Sequence, residues 1–167
     1  HELDFDFMKF MSAERAAEII NIIPSTLTFG RAAAGHALFK VINTPDDAIT
    51  IRVYFAGSCI NEFRTAGSYS ILYGPLDKVD RAEIANRPIA EIDYQKLKKL
   101  FRYQNILAAL TMLIGTKNTG EINSLLLAVG GEFYNQEIPE ETTVKIINKW
   151  HSIIDREDRI KESEACI

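Results

Sequence analysis

Cysteine, histidine and long apolar runs are all scarce in this 167-residue chain. Each scarcity closes off a class of protein. Two cysteines, Cys59 and Cys166, lie too far apart in sequence to define a disulfide framework or a thiolate metal site. Prenylation needs a cysteine fourth from the end, and the terminus reads Ala165-Cys166-Ile167. The longest wholly apolar run, at about 106–110, is far short of the ~20 residues that span a bilayer, so no membrane partner is expected. No Asn-x-Ser/Thr acceptor occurs, and the opening HELDFDFMKFM is acidic where a secretion signal would be basic. These features predict an intracellular, cytoplasmic setting. Excess positive charge is also missing. With 19 Lys and Arg against 23 Asp and Glu the net charge is −4, so nucleic-acid binding would have to rest on a local patch.

The chemistry-bearing residues are few. Of the three histidines, His1 opens the chain and reads as a tag remnant or the edge of an excised fragment. His36 sits among alanines and has no Cys, Asp, Glu or second His three or four residues away, the spacing of a helical metal site. His151 lies beside Trp150, and both histidines read as packing or surface residues. Gly30 and Gly35 have phosphate-loop spacing, but His36 and Ala37 stand where that loop needs lysine and a hydroxyl residue. Cys59 lies in a small-residue stretch and reads as core. The pairs Asp46/Asp47 and Glu140/Glu141 open helices, which explains them by capping and helix-dipole stabilisation. No catalytic residue, metal ligand or cofactor is expected on these grounds.

What the chain does contain is helical periodicity. The stretch 93–114 runs without Gly or Pro, and Leu100, Tyr103, Leu107, Leu110 and Ile114 recur at helical spacing. Its first half is cationic and its second half is apolar nearly all round, which predicts a central helix that enters a core. Ser12 reads as the cap of a helix carrying Ala16, Ile19, Ile20 and Ile23 and stopped at Pro24. Thr44-Pro45-Asp46-Asp47 has the form of a helix start, so 49–63 is assigned to helix, with a minor β-hairpin of 49–55 and 68–73 as the alternative. A short polar helix is expected at 77–86. Another is expected at 121–129, ended by Gly130-Gly131, and a last one after Pro139 with Ile146, Ile147, Trp150, Ile153 and Ile154 as its buried stripe. The predicted fold is an all-α domain of six or seven helices over 12–155. An N-terminal arm, 1–11, precedes it and a charged tail, 156–167, follows.

Three functional expectations follow. The first is a non-enzymatic assembly module, a homo-oligomer or partner-binding protein whose aromatic arm (Phe5, Phe7, Phe10) contacts a neighbouring subunit. The second is single-stranded nucleic-acid (RNA) binding, in a nucleoprotein-like assembly, through the basic strip Lys96, Lys98, Lys99 and Arg102. There Tyr103 or Phe101 would offer a ring for base stacking. The third is an enzyme whose site is assembled from residues that sequence spacing does not pair.

Overall fold

A computed structural model describes residues 1–31, 34–65, 87–114 and 119–154. The chain forms two compact units, His1–Asn105 and Ile106–Ile167. The first is not all-α. It contains β1 (Glu2–Phe5), a 3-10 turn at Phe7–Lys9, α1 (Ala13–Ile20), β2 (Thr28–Arg31), β3 (Ala34–Ile42), β4 (Ile51–Phe55), β5 (Ser58–Arg64), β6 (Ala90–Asp93) and the first half of α2 (Tyr94–Ile114). The strands make one sheet in the order β2-β3-β1-β5-β4, antiparallel at every pairing, with β6 joined to β3 in parallel. The expectation of six or seven helices in an all-α domain is therefore corrected to a mixed α/β fold.

The largest correction concerns residues 1–11. Their alternation of acidic and apolar side chains has period two, the signature of a strand with unlike faces. β1 pairs with β3 on one side and with β5 on the other, which makes it the middle strand of the sheet. Leu3 and Phe5 point to the interior and are buried, and Phe7 is fully buried just beyond the strand. Docking this arm on another subunit would require drawing the central strand out of its own sheet.

The segment assigned to helix after Thr44 is also strand. Thr44-Pro45-Asp46-Asp47 makes a single turn, with the Ala48 N–H donating to the Pro45 carbonyl at 3.1 Å, and then the chain extends into β4. β4 turns into β5 through Ala56 and Gly57, whose φ values of +46° and +79° are those of a two-residue type I′ hairpin. The hairpin partner is thus 58–64. The alternative partner, 68–73, and the helix expected at 77–86 lie outside the described residues. Likewise His36, tested above only against helical metal spacing, lies on β3, which pairs antiparallel with β2 so that Gly30 and Gly35 face each other directly across the ladder.

Thr26, just before β2, ties the sheet together where β6 begins. Its buried hydroxyl donates to the Leu38 carbonyl of β3 and accepts from the Ala90 N–H of β6 at 3.0 Å. β6 then runs straight into α2, whose first turn is capped by Asp93. The Asp93 carboxylate accepts from the Gln95 N–H at 2.9 Å and the Lys96 N–H at 3.3 Å. α2 occupies the place the sequence gives it, but its buried register in this unit differs from the stripe expected there. Tyr94, Leu97, Phe101 and Gln104 face inward, whereas Leu100 and Tyr103 are only half-buried. Phe63 of β5 lies under this face, its ring centroid 5.7 Å from Tyr94 and 5.8 Å from Phe101. Two amides stitch the layers: Asn61 donates to Asn105 at 2.9 Å, and Gln104 donates to the Ile19 carbonyl of α1 at 3.5 Å. α1 itself is capped by Ser12, whose hydroxyl accepts from the Arg15 N–H.

In the second unit, the described part of the chain comprises the rest of α2, then α3 (Thr119–Asn135) and α4 (Glu140–Ile153). Leu107, Ala108 and Leu110 of α2 are buried, as are Ile146, Ile147, Trp150, Ile153 and Ile154 at the end of the chain's described part. α3 does not stop at Gly130-Gly131 but continues through both to Asn135. The tail assigned to 156–167 lies outside the described residues.

The sheet–helix packing predicts a sharp contrast. Phe63→Ala should cost about 3–5 kcal/mol in chemical denaturation because it empties the space between β5 and α2. Tyr54→Ala should change stability by less than about 0.5 kcal/mol, since Tyr54, on β4, is 60% exposed.

Candidate functional site

The same alternation that sends Leu3 and Phe63 toward α2 sends a set of charged residues to the opposite face of the sheet. Register places Asp4 of β1 across from His36 of β3, Glu2 across from Arg64 of β5, and Asp4 also across from Glu62. Arg52 of β4 pairs with Glu62 in turn. A direct Asp4–Glu62 pairing would be repulsive by itself. Arg64 resolves it. Its Nη2 donates to Asp4 Oδ2 at 2.5 Å and to Glu62 Oε2 at 2.6 Å, while Nη1 donates to Glu2 Oε1 at 2.9 Å. Arg52 donates through Nε to the other Glu62 oxygen.

His36 completes the group from the β3 side. Its Nδ1 lies 2.8 Å from Glu2 Oε1 and 3.6 Å from Asp4 Oδ1. The imidazole plane is set by Phe29, its cross-strand neighbour on β2, which stacks on it at 4.5 Å with 8° between the rings. Asp4 thus presents one carboxylate oxygen to the imidazole and the other to the guanidinium.

Burial and charge act on these carboxyls in opposite directions. Burial pushes Asp4 above its ordinary value of 3.8, against the pull of His36 and Arg64. Burial also pushes Glu62 up, but the hydrogen bonds from Arg52 and Arg64 outweigh it and hold Glu62 below 4.5. A buried carboxyl that Arg64 leaves incompletely compensated is one that a further cation would stabilise.

One ligand atom each from Glu2, Asp4 and His36 lies within 4.8 Å of the other two. Oxygen and nitrogen donors at ~2.1–2.4 Å from a divalent cation sit about 3 Å apart when adjacent and up to about 4.8 Å apart when opposite. The three residues therefore have the spacing of a partial coordination shell. Two carboxylates with one imidazole suit a cation of the Mg²⁺ and Mn²⁺ class, the nitrogen favouring Mn²⁺. Arg64 would then hold the carboxylates from outside that shell, through Asp4 Oδ2 and Glu62.

Sequence spacing found no such ligand set because it searched helical intervals. Glu2 and Asp4 are two residues apart on a strand, and His36 reaches them only through the β1–β3 pairing. The signal that was present is the Glu2-Leu3-Asp4-Phe5 alternation. Of the residues singled out from sequence, Lys96, Lys98, Lys99, Arg102 and Tyr103 all lie on α2, away from this cluster. Lys96, Lys99 and Arg102 are exposed, and Lys98 and Tyr103 half-buried. Phe101 is buried and offers no stacking face. Phe5 and Phe7 are interior, and Phe10 is half-buried with its ring 5.1 Å from Phe55. His151 is fully buried beside Trp150, and the Cys59 thiol donates to the Asn61 carbonyl at 3.8 Å.

Comparison with protein-family models, curated proteins and solved structures returned no match.

The cluster's charge balance can be measured. Arg64→Ala leaves three carboxylates facing one another and should cost about 2–3 kcal/mol at neutral pH. That is less than for a fully buried pair because the Arg64 side chain keeps 21% exposure. Glu62, lowered on folding, contributes stability above 4.5 that is lost as pH falls through its lowered value. Asp4, raised on folding, contributes stability below 3.8 that is lost as pH rises through its raised value. The penalty of Arg64→Ala should therefore shrink below about pH 4, where the carboxylates protonate. Denaturation of both proteins across pH 3–8 reads it.

Proposed function

We propose that the Glu2–Asp4–His36 cluster binds a divalent cation and that the protein acts on, or binds, a phosphate-bearing substrate through it. One observation carries the reading: two carboxylates on the middle strand of the sheet and an imidazole on the neighbouring strand bring one ligand atom each within 4.8 Å of the other two. Mg²⁺ and Mn²⁺ are commonly held by one or two carboxylates, and the remaining positions go to water and substrate phosphates. A cation held there by Glu2, Asp4 and His36 would supply charge neutralisation to phosphate oxygens.

The position of the cluster supports the same reading. Functional side chains held by a rigid sheet are placed more tightly than ones on loops. Asp4 and His36 share one rung of the β1–β3 ladder and Glu2 lies two rungs along it, and Phe29 and Arg64 restrain them from either side. In the alternative, a purely structural ion network, burial still raises the Asp4 carboxyl against the pull of His36 and Arg64.

Titration with Mn²⁺, followed by calorimetry and by thermal unfolding, tests the proposal. Saturating Mn²⁺ at about 100 times its dissociation constant should add about 2.7 kcal/mol of stability. Asp4→Asn and His36→Ala should each weaken Mn²⁺ binding by ~10–100-fold or more while retaining the fold. A nucleoside triphosphate should bind the Mn²⁺-loaded protein more tightly than the metal-free one. Mn²⁺ affinity unchanged in Asp4→Asn, or no binding at millimolar Mn²⁺, would sink the proposal. Binding of Zn²⁺ to the exclusion of Mn²⁺ would also overturn it.

A further inference from the structure

The basic strip of α2 is not absorbed by the metal reading. α2 faces the sheet through Tyr94, Leu97, Phe101 and Gln104, and the cluster occupies the sheet's other face. The strip looks away from both. On a helix of 100° per residue, Gln95, Lys99, Arg102 and Ile106 share the outward line, with Lys98 to one side and Lys96 and Tyr103 to the other. Four cations thus cover the outward arc over about 9 Å of helix axis.

These cations are also unspent. Among the described residues none of Lys96, Lys98, Lys99 and Arg102 makes an ion pair, whereas Lys9, Lys40, Arg52, Arg64 and Lys145 all do. The nearest acids in the chain are engaged elsewhere. Glu91 pairs with Lys40 at 2.7 Å, and Asp93 accepts from Asn43 at 2.9 Å and from the helix's own first turn. One accessible aromatic ring lies beside the charges: the Lys99 ammonium sits 5.6 Å from the Tyr103 centroid, while Lys98 reaches over the buried Tyr94 at 5.9 Å. Tyr103 is half-exposed, so part of its ring remains available.

We propose that this outward face of α2 binds the backbone of single-stranded nucleic acid, with Lys96, Lys98, Lys99 and Arg102 on phosphates and Tyr103 as a stacking platform for one base. An uncompensated cationic arc with an aromatic ring inside it is the pairing of charge and stacking that sequence-tolerant single-strand binding uses. An acidic protein surface would answer the charge but leave the ring without a role. The proposal is independent of the metal site, which lies on the opposite side of the sheet.

Fluorescence anisotropy with the full chain and labelled RNA and DNA oligonucleotides of about 15 residues tests it. With up to four phosphates neutralised, log affinity should fall against log salt with a slope no steeper than about −2.8, or roughly 50-fold between 50 and 200 mM. The triple variant Lys96→Glu, Lys99→Glu, Arg102→Glu should abolish binding at 50 mM salt. Tyr103→Ala should weaken it ~10-fold without changing the salt slope. Circular dichroism and Mn²⁺ affinity should be the same in all variants, which separates this surface from the cluster. No binding at 50 mM salt, or full binding by the triple variant, overturns the proposal. So does displacement by poly-glutamate at the same charge concentration as by competing oligonucleotide, which would assign the surface to an acidic protein.

Discussion

The two faces of β1 constrain everything else in the first unit. A strand alternates its side chains, so Leu3 and Phe5 can enter the helix-covered core only if Glu2 and Asp4 are turned to the other side. Being the middle strand, β1 also sets the register of both neighbours. A slip of one residue against β3 or β5 would bring carboxylates under α2 and expose Leu3. The apolar face fixes the register, and the register delivers His36, Glu62 and Arg64 to the carboxylates. The charged cluster is in this sense a consequence of how the core packs.

Some of this was legible in the sequence and some was not, for reasons that differ by element. α1 and α4 are amphipathic helices with a stripe of spaced isoleucines, and periodicity alone locates them. α2 is legible as a helix, but the stripe expected on its inward face matches the buried residues at Leu107 and Leu110 and not at Leu100 and Tyr103, which are half-buried. The inward face of its first half is set by Phe63 beneath Tyr94 and Phe101, a partner that lies 31 residues upstream of Tyr94 and that periodicity cannot see. β4 was misassigned because a well-formed cap at Thr44-Pro45 outweighed its β-branched composition. The cap completes one turn, and tertiary pairing with β5 then overrides it. Ala56-Gly57 carried the hairpin signal, but as an Ala-Gly pair it was weaker than the Asn-Gly that usually marks such a turn.

The candidate site was harder to read than the fold. A ligand set on one helix is written in local spacing, whereas this one is written in strand register. Glu2 and His36 are 34 residues apart in the chain and 2.8 Å apart in space. Only the Glu2/Asp4 half of it is local, and in isolation that half looks like a solvated acidic terminus. The basic strip of α2 lies at the other extreme. It is visible from sequence because its members share one helix, and what the fold adds is which arc faces out and that, among the described residues, no carboxylate pairs with it.

Energetics bear on why the charged cluster exists at all. Replacing a half-buried ion network with apolar residues of similar volume is often neutral or stabilising by ~1–4 kcal/mol. A sheet built for stability alone would do better with Val or Thr at 2, 4, 36, 62 and 64. Here the network is arranged so that Glu62 is held strongly by two guanidinium groups while Asp4 is left raised by burial. The two carboxyls, 58 residues apart in the chain but directly paired in the sheet, are thus treated unequally: Glu62 is held by two arginines, whereas burial outweighs the pull of Arg64 and His36 at Asp4. A network whose only task was cohesion would gain by compensating Asp4 as fully as Glu62. Beside the convergence of Glu2, Asp4 and His36, this asymmetry is what favours the proposed cation site over a purely cohesive network.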